Sequence, residues 1–511
     1  MPRAYPSVRV RPTDSLLARR PWKLVSSSLF AKRGIGLLAL PAGVFRLSLL
    51  RSPAGAYRRS QRASQREPPN QVAFRSVTDP AFPALHIRPP QGWLNDPNGL
   101  CRIDGRYHVF FQYNPDAPVH DAMHWGHVSS ADMLHWQQHP IALAPRHGLI
   151  DAAGCWSGCV VDDDGVPTAV YTANPDHARN AAVAVARSDR SLIHWEQDES
   201  PVVGISTTSG IQEVRDPFVF VHDGRRYAVQ GSGQPSGHPR LLLYGCDNLT
   251  RWTELGDLLT IDDPIAANVA AANIWECPSL VQVDDQWVLL VSLWHGADGT
   301  THLAGVRYLL GDLVAEGQGW VFKATSGGVV DEGPAFYAPQ VLAEPDRTLL
   351  WGWAWELGRS DQQIAEVGWA GVLTFPRELY LRDGVLGTRP AAELEGLRLG
   401  DLGWRPGTPF QADAFELVAG GSVALRLVDD DGDMLVSVGE GTAADPARVF
   451  VDGSIVETFQ GGASHTTRAY PTADSSWVVD GAAVTAYRLG GRAAVTGAAH
   501  VPPSLGSQLG S

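Results

Sequence analysis

The sequence predicts an all-β protein, a five-bladed β-propeller followed by a C-terminal β-sandwich. Two observations lead to this prediction: a hairpin pattern that returns about every sixty residues, and 53 Gly with 17 Trp, which are typical of turn-rich β proteins. The 511 residues are also enough for two or three domains with separate cores. We expect a basic N-terminal extension over residues 1–75, then the propeller over residues 82–385 and the sandwich over residues 390–500.

The first seventy residues differ in charge from the rest of the chain. They carry 14 Lys and Arg against Asp14 and Glu67. Their apolar run, residues 34–50, contains Pro41 and Arg46, so it is too short and too interrupted for a membrane span. It is also followed by no convincing signal cleavage site. We therefore expect a disordered extension and no membrane partner.

The remaining residues are acidic, because the whole chain has a net charge of −14 although its first seventy residues are strongly basic. An acidic body disfavours nucleic acid as a partner and suits a neutral sugar better than a phosphorylated one. The five Cys residues are odd in number and form no C-x-x-C pair, which favours the cytoplasm, with secretion as the alternative. No cofactor or metal is expected, and the sequence carries no signal of oligomeric state.

Five hairpin-like segments carry the repeat, each with a turn between two strands of β-branched or aromatic residues. The turns contain Asp104, Asp164, Asp223, Asp285 and Asp346. A second marker, a short segment ending in Trp, recurs out of phase with the turns at Trp136, Trp195 and Trp252. Four strands per sixty residues, repeated radially, predict propeller blades. A sixth copy would fall near residue 406 and is missing, so we predict five blades.

Beyond residue 390 the hairpins lose this period. Residues 421–438 and 447–462 each contain two strand-like segments joined by an Asp-Gly turn. Because these hairpins lie outside the repeat, they belong to a different architecture. Their spacing predicts a separate β-sandwich.

Three acidic residues share one phase of the repeat. Asp96, Asp216 and Glu276 lie seven to nine residues before their hairpin turns, and aromatic residues, Trp156 and Tyr337, hold that phase in two other units. Equal phase places them near the start of the innermost strand of each blade, around one axial pocket. Crowded carboxylates raise at least one pKa, which provides a protonated acid beside an ionised base. Glycoside hydrolysis requires such a pair.

The residues around these acids are suited to sugar binding. Aromatic side chains stack against sugar rings, and amide or guanidinium groups hydrogen-bond hydroxyls. The aromatic candidates are Trp93, Trp125, Trp156 and Trp275, and the polar candidates are Asn95, Gln112 and Arg215.

The three acids lie in three motifs: WLNDPNG at residues 93–99, RDP at 215–217 and WECP at 275–278. With these motifs the chain resembles glycoside hydrolase family 32, which comprises invertases, inulinases, levanases and sucrose-6-phosphate hydrolases. The resemblance implies that Asp96 is the nucleophile and that Glu276 is the general acid/base. It also implies that Asp216 grips fructose hydroxyls and stabilises the transition state.

Further motifs extend the resemblance over roughly residues 86–485. They are FQYNP at 111–115, WGH at 125–127, WSG at 156–158, YAPQ at 337–340, GWAGVLTFPREL at 368–379, FVDGSIVETF at 450–459 and RAYP at 468–471. The last two are similar to the C-terminal sandwich of the family. The resemblance implies that Gln112, Trp125 and Ser157 line the fructose subsite, and we include Tyr337 among the binding residues.

Two positions depart from the pattern of the family. Ser279 stands where the acid/base motif usually has Asp, and Cys159 stands where WSG is usually followed by Ser. The first change removes a carboxylate that we expect on the leaving-group side, and it therefore bears on which leaving group is preferred. The second is a smaller change, and we expect it to be tolerated.

The predicted function is a retaining β-fructofuranosidase that releases terminal fructose from sucrose and related β-fructofuranosides. A retaining pair requires its two carboxyl groups roughly 5–5.5 Å apart. One alternative is a sucrose-6-phosphate hydrolase, which would need Lys or Arg around the phosphate, and another is an exo-fructanase such as a levanase or inulinase. An alternative of another class is a non-catalytic carbohydrate-binding propeller.

Overall fold

The computed structural model describes residues 79–176, 181–206, 213–234, 237–297 and 300–491. The predicted extension over residues 1–75 and the end of the predicted sandwich range lie outside them. No helix in the described part of the chain is long and apolar enough to cross a membrane.

Five antiparallel arrays of four strands form the blades. In chain order their strands are, in blade 1, β1 (Gly92–Ile103), β2 (Arg106–Asn114), β3 (His124–Ser130) and β4 (Gln137–Gln138); in blade 2, β5 (Gly154–Asp163), β6 (Val166–Asn174), β7 (Ala182–Ser188) and β8 (Trp195–Gln197); in blade 3, β9 (Glu213–His222), β10 (Arg225–Gly233), β11 (Arg240–Asn248) and β12 (Arg251–Thr260); in blade 4, β13 (Ile274–Val283), β14 (Gln286–Ala297), β15 (Thr300–Glu316) and β16 (Gly319–Val329); and in blade 5, β17 (Phe336–Ala343) and β18 (Thr348–Ala354), then the short inserted strands β19 (Trp369–Ala370) and β20 (Val372–Leu373), then β21 (Arg377–Arg382) and β22 (Val385–Pro390).

The first strand of each blade lies at the centre of the ring. β1, β5, β9, β13 and β17 contact one another in that order, and β17 contacts β1 again. The inserted strand β19 returns from blade 5 and pairs in parallel with Gly92 and Trp93 of β1, so backbone hydrogen bonds also close the ring. The prediction of five blades is confirmed.

Three of the hairpins between first and second strands turn at their predicted aspartates, each followed by Gly. Asp104, Asp164 and Asp223 have φ values of 50°, 54° and 49°, and the glycine after each of them also has a positive φ. Left-handed backbone at both central residues defines the type I′ turn, whose twist matches that of the flanking strands. The second marker lies at or next to the start of the outermost strand, and Trp320 of β16 is a fourth copy that the sequence pattern did not reveal.

Short helices connect some of these elements, and polar caps fix where they begin. α1 (Pro264–Val269) starts after Asp263, whose side chain accepts hydrogen bonds from two backbone N–H groups of the first turn. α2 (Asp361–Val367) starts with a capping box and ends at Gly368, which has a φ of 77°. A 3₁₀ helix, Ala392–Leu397, follows blade 5 and leads out of the propeller.

The remaining strands form the predicted β-sandwich. They are β23 (Arg398–Asp401), β24 (Ala414–Ala419), β25 (Ser422–Asp429), β26 (Gly432–Glu440), β27 (Ala447–Asp452), β28 (Ile455–Gln460), β29 (Ala463–Arg468), β30 (Ser476–Gly481) and β31 (Val484–Leu489). One sheet has the order β23-β31-β24-β27-β28-β29 and the other β26-β25-β30. Alternating side chains such as Phe415 with Leu417 and Leu425 with Leu427 fill the core between them.

A buried ionic network joins the sandwich to the propeller. His86, in the segment that leads into blade 1, contacts Asp452 at 2.7 Å and Glu457 at 3.0 Å, and all three side chains are buried. Burial alone would lower the pKa of His86, but its hydrogen bonds to these two carboxylates outweigh that effect and raise it. Arg377 of β21 extends the network to Glu457 and to Asp331. The sandwich therefore holds both the segment before β1 and the strand β21 of the propeller in place.

Replacing Arg377 by Met should lower the free energy of unfolding by about 3–5 kcal/mol, because it leaves the buried carboxylate of Asp331 without its cation and Glu457 with His86 alone. Urea denaturation of the purified protein measures the loss. Arg382→Met is the matched control: it lies on the same strand, and its side chain is 56% exposed, so we expect little change. Equal effects of the two substitutions would contradict a structural role for the network.

Candidate active site

Every first strand carries an irregularity at the same level of the propeller. Its pairing with the second strand shifts after Leu94, Trp156, Arg215, Glu276 and Tyr337. In three of these bulges a residue adopts a positive φ, which is 60° for Asp216, 47° for Cys277 and 44° for Ala338. A β-bulge adds a residue to one strand and redirects its side chains. Here the bulges fall at the predicted phase of the acids.

The bulges border one cavity of about 540 Å³. Asp96, Asp216 and Glu276 all line it, although they come from three different blades. The predicted residues that line it are Trp93, Asn95, Asp96, Gln112, Trp156, Arg215, Asp216, Glu276 and Tyr337. The structure therefore brings together the three carboxylates that share one phase of the repeat.

Asp96 is held by side chains from blades 1 and 2. Its Oδ2 accepts hydrogen bonds from Ser157 Oγ at 2.6 Å and from Gln112 Nε2 at 3.0 Å. Its Oδ1 accepts one from Asn95 Nδ2 at 3.0 Å, and the Asn95 oxygen in turn accepts one from Trp93 Nε1 at 2.9 Å. With 8% of its surface exposed, Asp96 reaches the cavity in one fixed orientation.

Asp216 lies next to Asp96 and is more deeply embedded. Its Oδ2 accepts a hydrogen bond from the backbone N–H of Cys277 at 3.0 Å, and the thiol of Cys277 lies 3.4 Å from Asp96 Oδ2. Burial raises the pKa of Asp216 to about 7, and the charges of Glu276 and Asp96 add to this although Arg215 opposes it. One acid of the cluster therefore takes up a proton near neutral pH.

Glu276 is held from two neighbouring blades. Arg215 Nε lies 3.0 Å from Glu276 Oε1, and Tyr337 OH donates to Oε2 at 2.7 Å. Burial raises the pKa of Tyr337, so its phenol keeps the proton that it donates. Burial would lower the pKa of Arg215, but Glu276, Asp216 and Glu213 more than offset this and raise it. Arg215 therefore stays charged beside Glu276.

Aromatic side chains form part of the cavity wall. The ring of Trp93 lies 5.7 Å from that of Trp353 and 6.3 Å from that of His120, and His120 lies 6.3 Å from Trp156. Burial lowers the pKa of His120, so its ring is neutral at neutral pH. Flat apolar faces above a group of carboxylates suit a sugar, whose ring stacks while its hydroxyls hydrogen-bond.

Trp125 does not lie where the sequence led us to expect it. Its side chain is fully buried in the core, and its Nε1 donates to the backbone oxygen of Trp156 at 3.0 Å. The residue belongs to β3, the third strand of blade 1, which is farther from the axis than β1 and β2. We correct its assignment from a subsite residue to a support of Trp156. The aromatic candidate Trp275 is wrong as well, because its side chain is fully buried in the core and is not among the described residues that line the cavity. Ser157, in contrast, reaches the site through its hydrogen bond to Asp96.

Several cavity residues were missed by the sequence analysis: His120, Asp121, Glu213, Trp294, Leu303 and Trp353. A signal for two of them was present. Trp294 and Trp353 lie on second strands, opposite Ile274 and Tyr337, at about the same distance after the hairpin turn as the acids lie before it. Counting forward from each turn finds them, as it finds Gln112. His120 and Asp121 lie on the loop between β2 and β3, where the repeat provides no phase.

Neither of the two departures from the motif pattern is among the described residues that line the cavity. Ser279 is 1% exposed and is not among the described residues that line the cavity. The expected effect of Ser279 on the preferred leaving group stays a prediction. Cys159 is buried, and its sulfur accepts a hydrogen bond from the backbone N–H of Val219 at 3.3 Å, which joins blades 2 and 3.

Comparison with known families agrees with this architecture. The model of the family described as glycosyl hydrolases family 32 N-terminal domain matches residues 86–390. The chain belongs to glycoside hydrolase family 32. The five-bladed propeller and the sandwich that follows it are the architecture that we predicted from the sequence. The prediction of this family is also confirmed.

Relatives of the chain in family 32 include proteins with different names. Raffinose invertase of Escherichia coli is 35% identical over 329 residues, which are 62% of this chain and 66% of that protein. Sucrose-6-phosphate hydrolase of Klebsiella pneumoniae is 34% identical over 449 residues, which are 81% and 93% of the two chains. The solved GH32 beta-fructofuranosidase of Bombyx mori has a TM-score of 0.68 and 26% identity, over 80% of this chain and 94% of that one.

Proposed function

We propose that this chain hydrolyses sucrose and related non-phosphorylated β-fructofuranosides with retention of configuration. The observation that carries the proposal is the convergence of Asp96, Asp216 and Glu276 on one aromatic-walled cavity. The name of the Bombyx mori neighbour, beta-fructofuranosidase, and its solved complex with sucrose support the same substrate class.

In this proposal each acid has a distinct role. Asp96 attacks the anomeric C2 of a terminal β-linked fructose, and Glu276 donates its proton to the glycosidic oxygen as the C2–O bond breaks. Glucose leaves, and a fructosyl ester of Asp96 remains. Glu276 then takes a proton from water, whose oxygen attacks C2 and releases Asp96. Asp216 binds fructose hydroxyls and stabilises the positive charge that develops on the sugar.

The remaining predicted residues would bind the fructose ring or hold these acids. Asn95, Gln112 and Ser157 donate to Asp96 and keep its free lone pair directed at the substrate. Trp93 and Trp156 provide apolar faces for the sugar. Arg215 and Tyr337 fix the carboxyl group of Glu276.

The charges of the cavity favour sucrose over its 6-phosphate. Arg215 is the one guanidinium among the described residues that line it, and this group already contacts Glu213 and Glu276. A phosphate group would add roughly two negative charges to a site that already holds several carboxylates. Repulsion between like charges therefore works against the phosphorylated substrate. The relatives named sucrose-6-phosphate hydrolase make that activity the second candidate.

We expect kcat/KM for sucrose to exceed that for sucrose 6-phosphate by at least about tenfold, an energy difference of about 1.4 kcal/mol. Initial rates of fructose release from sucrose, its 6-phosphate and inulin, measured at equal concentrations, test this. A preference for the phosphorylated sugar would support the second candidate, and a preference for inulin would indicate an exo-fructanase. No glucose or fructose release from any of the three would indicate a binding propeller.

Retention can be tested in the same preparation with methanol as the acceptor. Two successive inversions at C2 lead to methyl β-fructofuranoside, whereas a single inversion leads to the α-anomer. The anomer is identified by NMR of the isolated product.

We also propose a cytoplasmic location and a sugar as the partner. The free state of all five cysteines supports a reducing compartment.

A further inference from the structure

We propose that Glu213 is a positioning residue for the general acid/base, and that it acts through Arg215. The inference rests on the proposed function, in which Glu276 must hold a proton before the glycosidic bond breaks. It concerns a residue outside the three acidic motifs, with no part assigned to it in the mechanism above. The geometry of blade 3 carries it.

Glu213 and Arg215 lie two residues apart at the start of β9, so their side chains leave the strand on the same side. Glu213 is 1% exposed, and its Oε2 accepts from Arg215 Nη1 at 2.6 Å. The opposite edge of the same guanidinium faces Glu276, with Nε at 3.0 Å and Nη2 at 2.9 Å from Oε1. One arginine is therefore shared between two carboxylates, which we name the Glu213–Arg215–Glu276 triad.

This sharing matters because Arg215 alone would work against a general acid. A guanidinium within hydrogen-bond distance favours the ionised form of a carboxyl group, typically by one to three pKa units. A second carboxylate on the other side of the guanidinium offsets part of its charge. With Glu213 in place, Arg215 orients Glu276 while part of its positive charge is compensated on the other side. The fixed fork of the guanidinium also keeps Glu276 aimed at the cavity.

Other groups face Glu276 from each neighbouring element, and a substitution of Glu213 leaves all of them in the sequence. They are Asp216 on β9, Asp96 on β1, Cys277 on β13, Tyr337 on β17 and His120 on the loop after β2. The two aspartates act in the same direction as Glu213, since negative charge favours protonation of a neighbouring carboxyl group. Tyr337 donates a hydrogen bond, which favours the ionised form. A substitution at position 213 therefore changes only the charge that faces Arg215.

The test is the pH dependence of sucrose hydrolysis by the Glu213→Gln variant of the full chain. Gln keeps the size of the side chain and an oxygen that can accept from Arg215, but it removes the negative charge. We expect the alkaline limb of the kcat/KM profile, which reports the general acid, to move to lower pH by about one unit. At pH values above the alkaline limbs of both the wild type and the variant, this shift amounts to about a tenfold loss of activity.

Two further variants separate positioning from folding. Glu254→Gln makes the same chemical change at an exposed position of β12 in the same blade, and its alkaline limb should coincide with that of the wild type. Glu213→Asp restores the charge, and its limb should lie closer to the wild-type position than that of Glu213→Gln. A merely structural role would lower activity equally at every pH, and it would not follow the charge at position 213.

The leaving group provides an independent readout. A nitrophenyl β-fructofuranoside needs less proton donation than sucrose, so the loss in Glu213→Gln at alkaline pH should be smaller with it. An active wild type whose alkaline limb coincides with that of Glu213→Gln would overturn the inference and leave the proposed function intact. A wild type inactive on both fructosides would overturn both proposals.

Discussion

Replacing Asp96 by Ala should lower kcat for sucrose by about 10⁴-fold or more, the largest effect that we expect from a single substitution. The proposed reaction forms its covalent bond to this carboxylate, and neither Asp216 nor Glu276 can take its place, since each is held by other partners. Glucose release from saturating sucrose measures the loss. The residual kcat of the variant shows how much rate acceleration the rest of the site provides without the nucleophile.

Asp104→Ala is the matched control for this substitution. Asp104 lies in the turn after the same strand, and its side chain is 63% exposed, so we expect near-wild-type kcat from it. Removal of Asp96 also frees Ser157 and Gln112 from a shared acceptor, so thermal unfolding of both variants should accompany the kinetics. An Asp96→Ala protein that is folded and turns over sucrose at a rate near the wild type would eliminate the assigned nucleophile.

The positions of the three acids could be predicted because a propeller converts sequence phase into position around an axis. Asp96, Asp216 and Glu276 lie at similar distances before their turns, and the ring of first strands brings them to one cavity. The level at which they enter it depends on the bulges, and Pro97, Pro217, Pro278 and Pro339 mark four of these in the sequence. Proline donates no backbone hydrogen bond, so it is compatible with a bulge.

Other features depend on contacts that no local pattern reveals. Trp125 was misplaced because its motif indicates proximity to the site, whereas its strand, the third in the blade, decides which way the ring points. His120 enters the cavity from the loop between β2 and β3, where the repeat provides no phase. The ion pairs of His86 join residues more than 360 positions apart, and neither composition nor periodicity identifies the partners. Such contacts are determined by the packing of domains.

Replacing Glu276 by Gln should lower kcat for sucrose by about 10³-fold, the second-largest effect that we expect, because Gln has no proton to give to the glycosidic oxygen. The amide has the shape of the carboxyl group, so contacts with Arg215 and Tyr337 can persist while acid/base chemistry is lost. The loss should be smaller for a nitrophenyl β-fructofuranoside, whose leaving group departs without protonation. Initial rates on both substrates measure the difference.

The second step of the reaction provides the decisive check on Glu276. In Glu276→Gln the fructosyl ester of Asp96 lacks the base that activates water, so it should react slowly with water but readily with azide, which needs no deprotonation. Azide nitrogen bonds to C2 as the Asp96 carboxylate leaves, and the product is β-fructofuranosyl azide. Azide should therefore accelerate the variant on the nitrophenyl substrate and leave the wild type nearly unchanged. If azide accelerates both equally or neither, Glu276 does not act as the base, and the acid/base function must lie with another residue of the cavity.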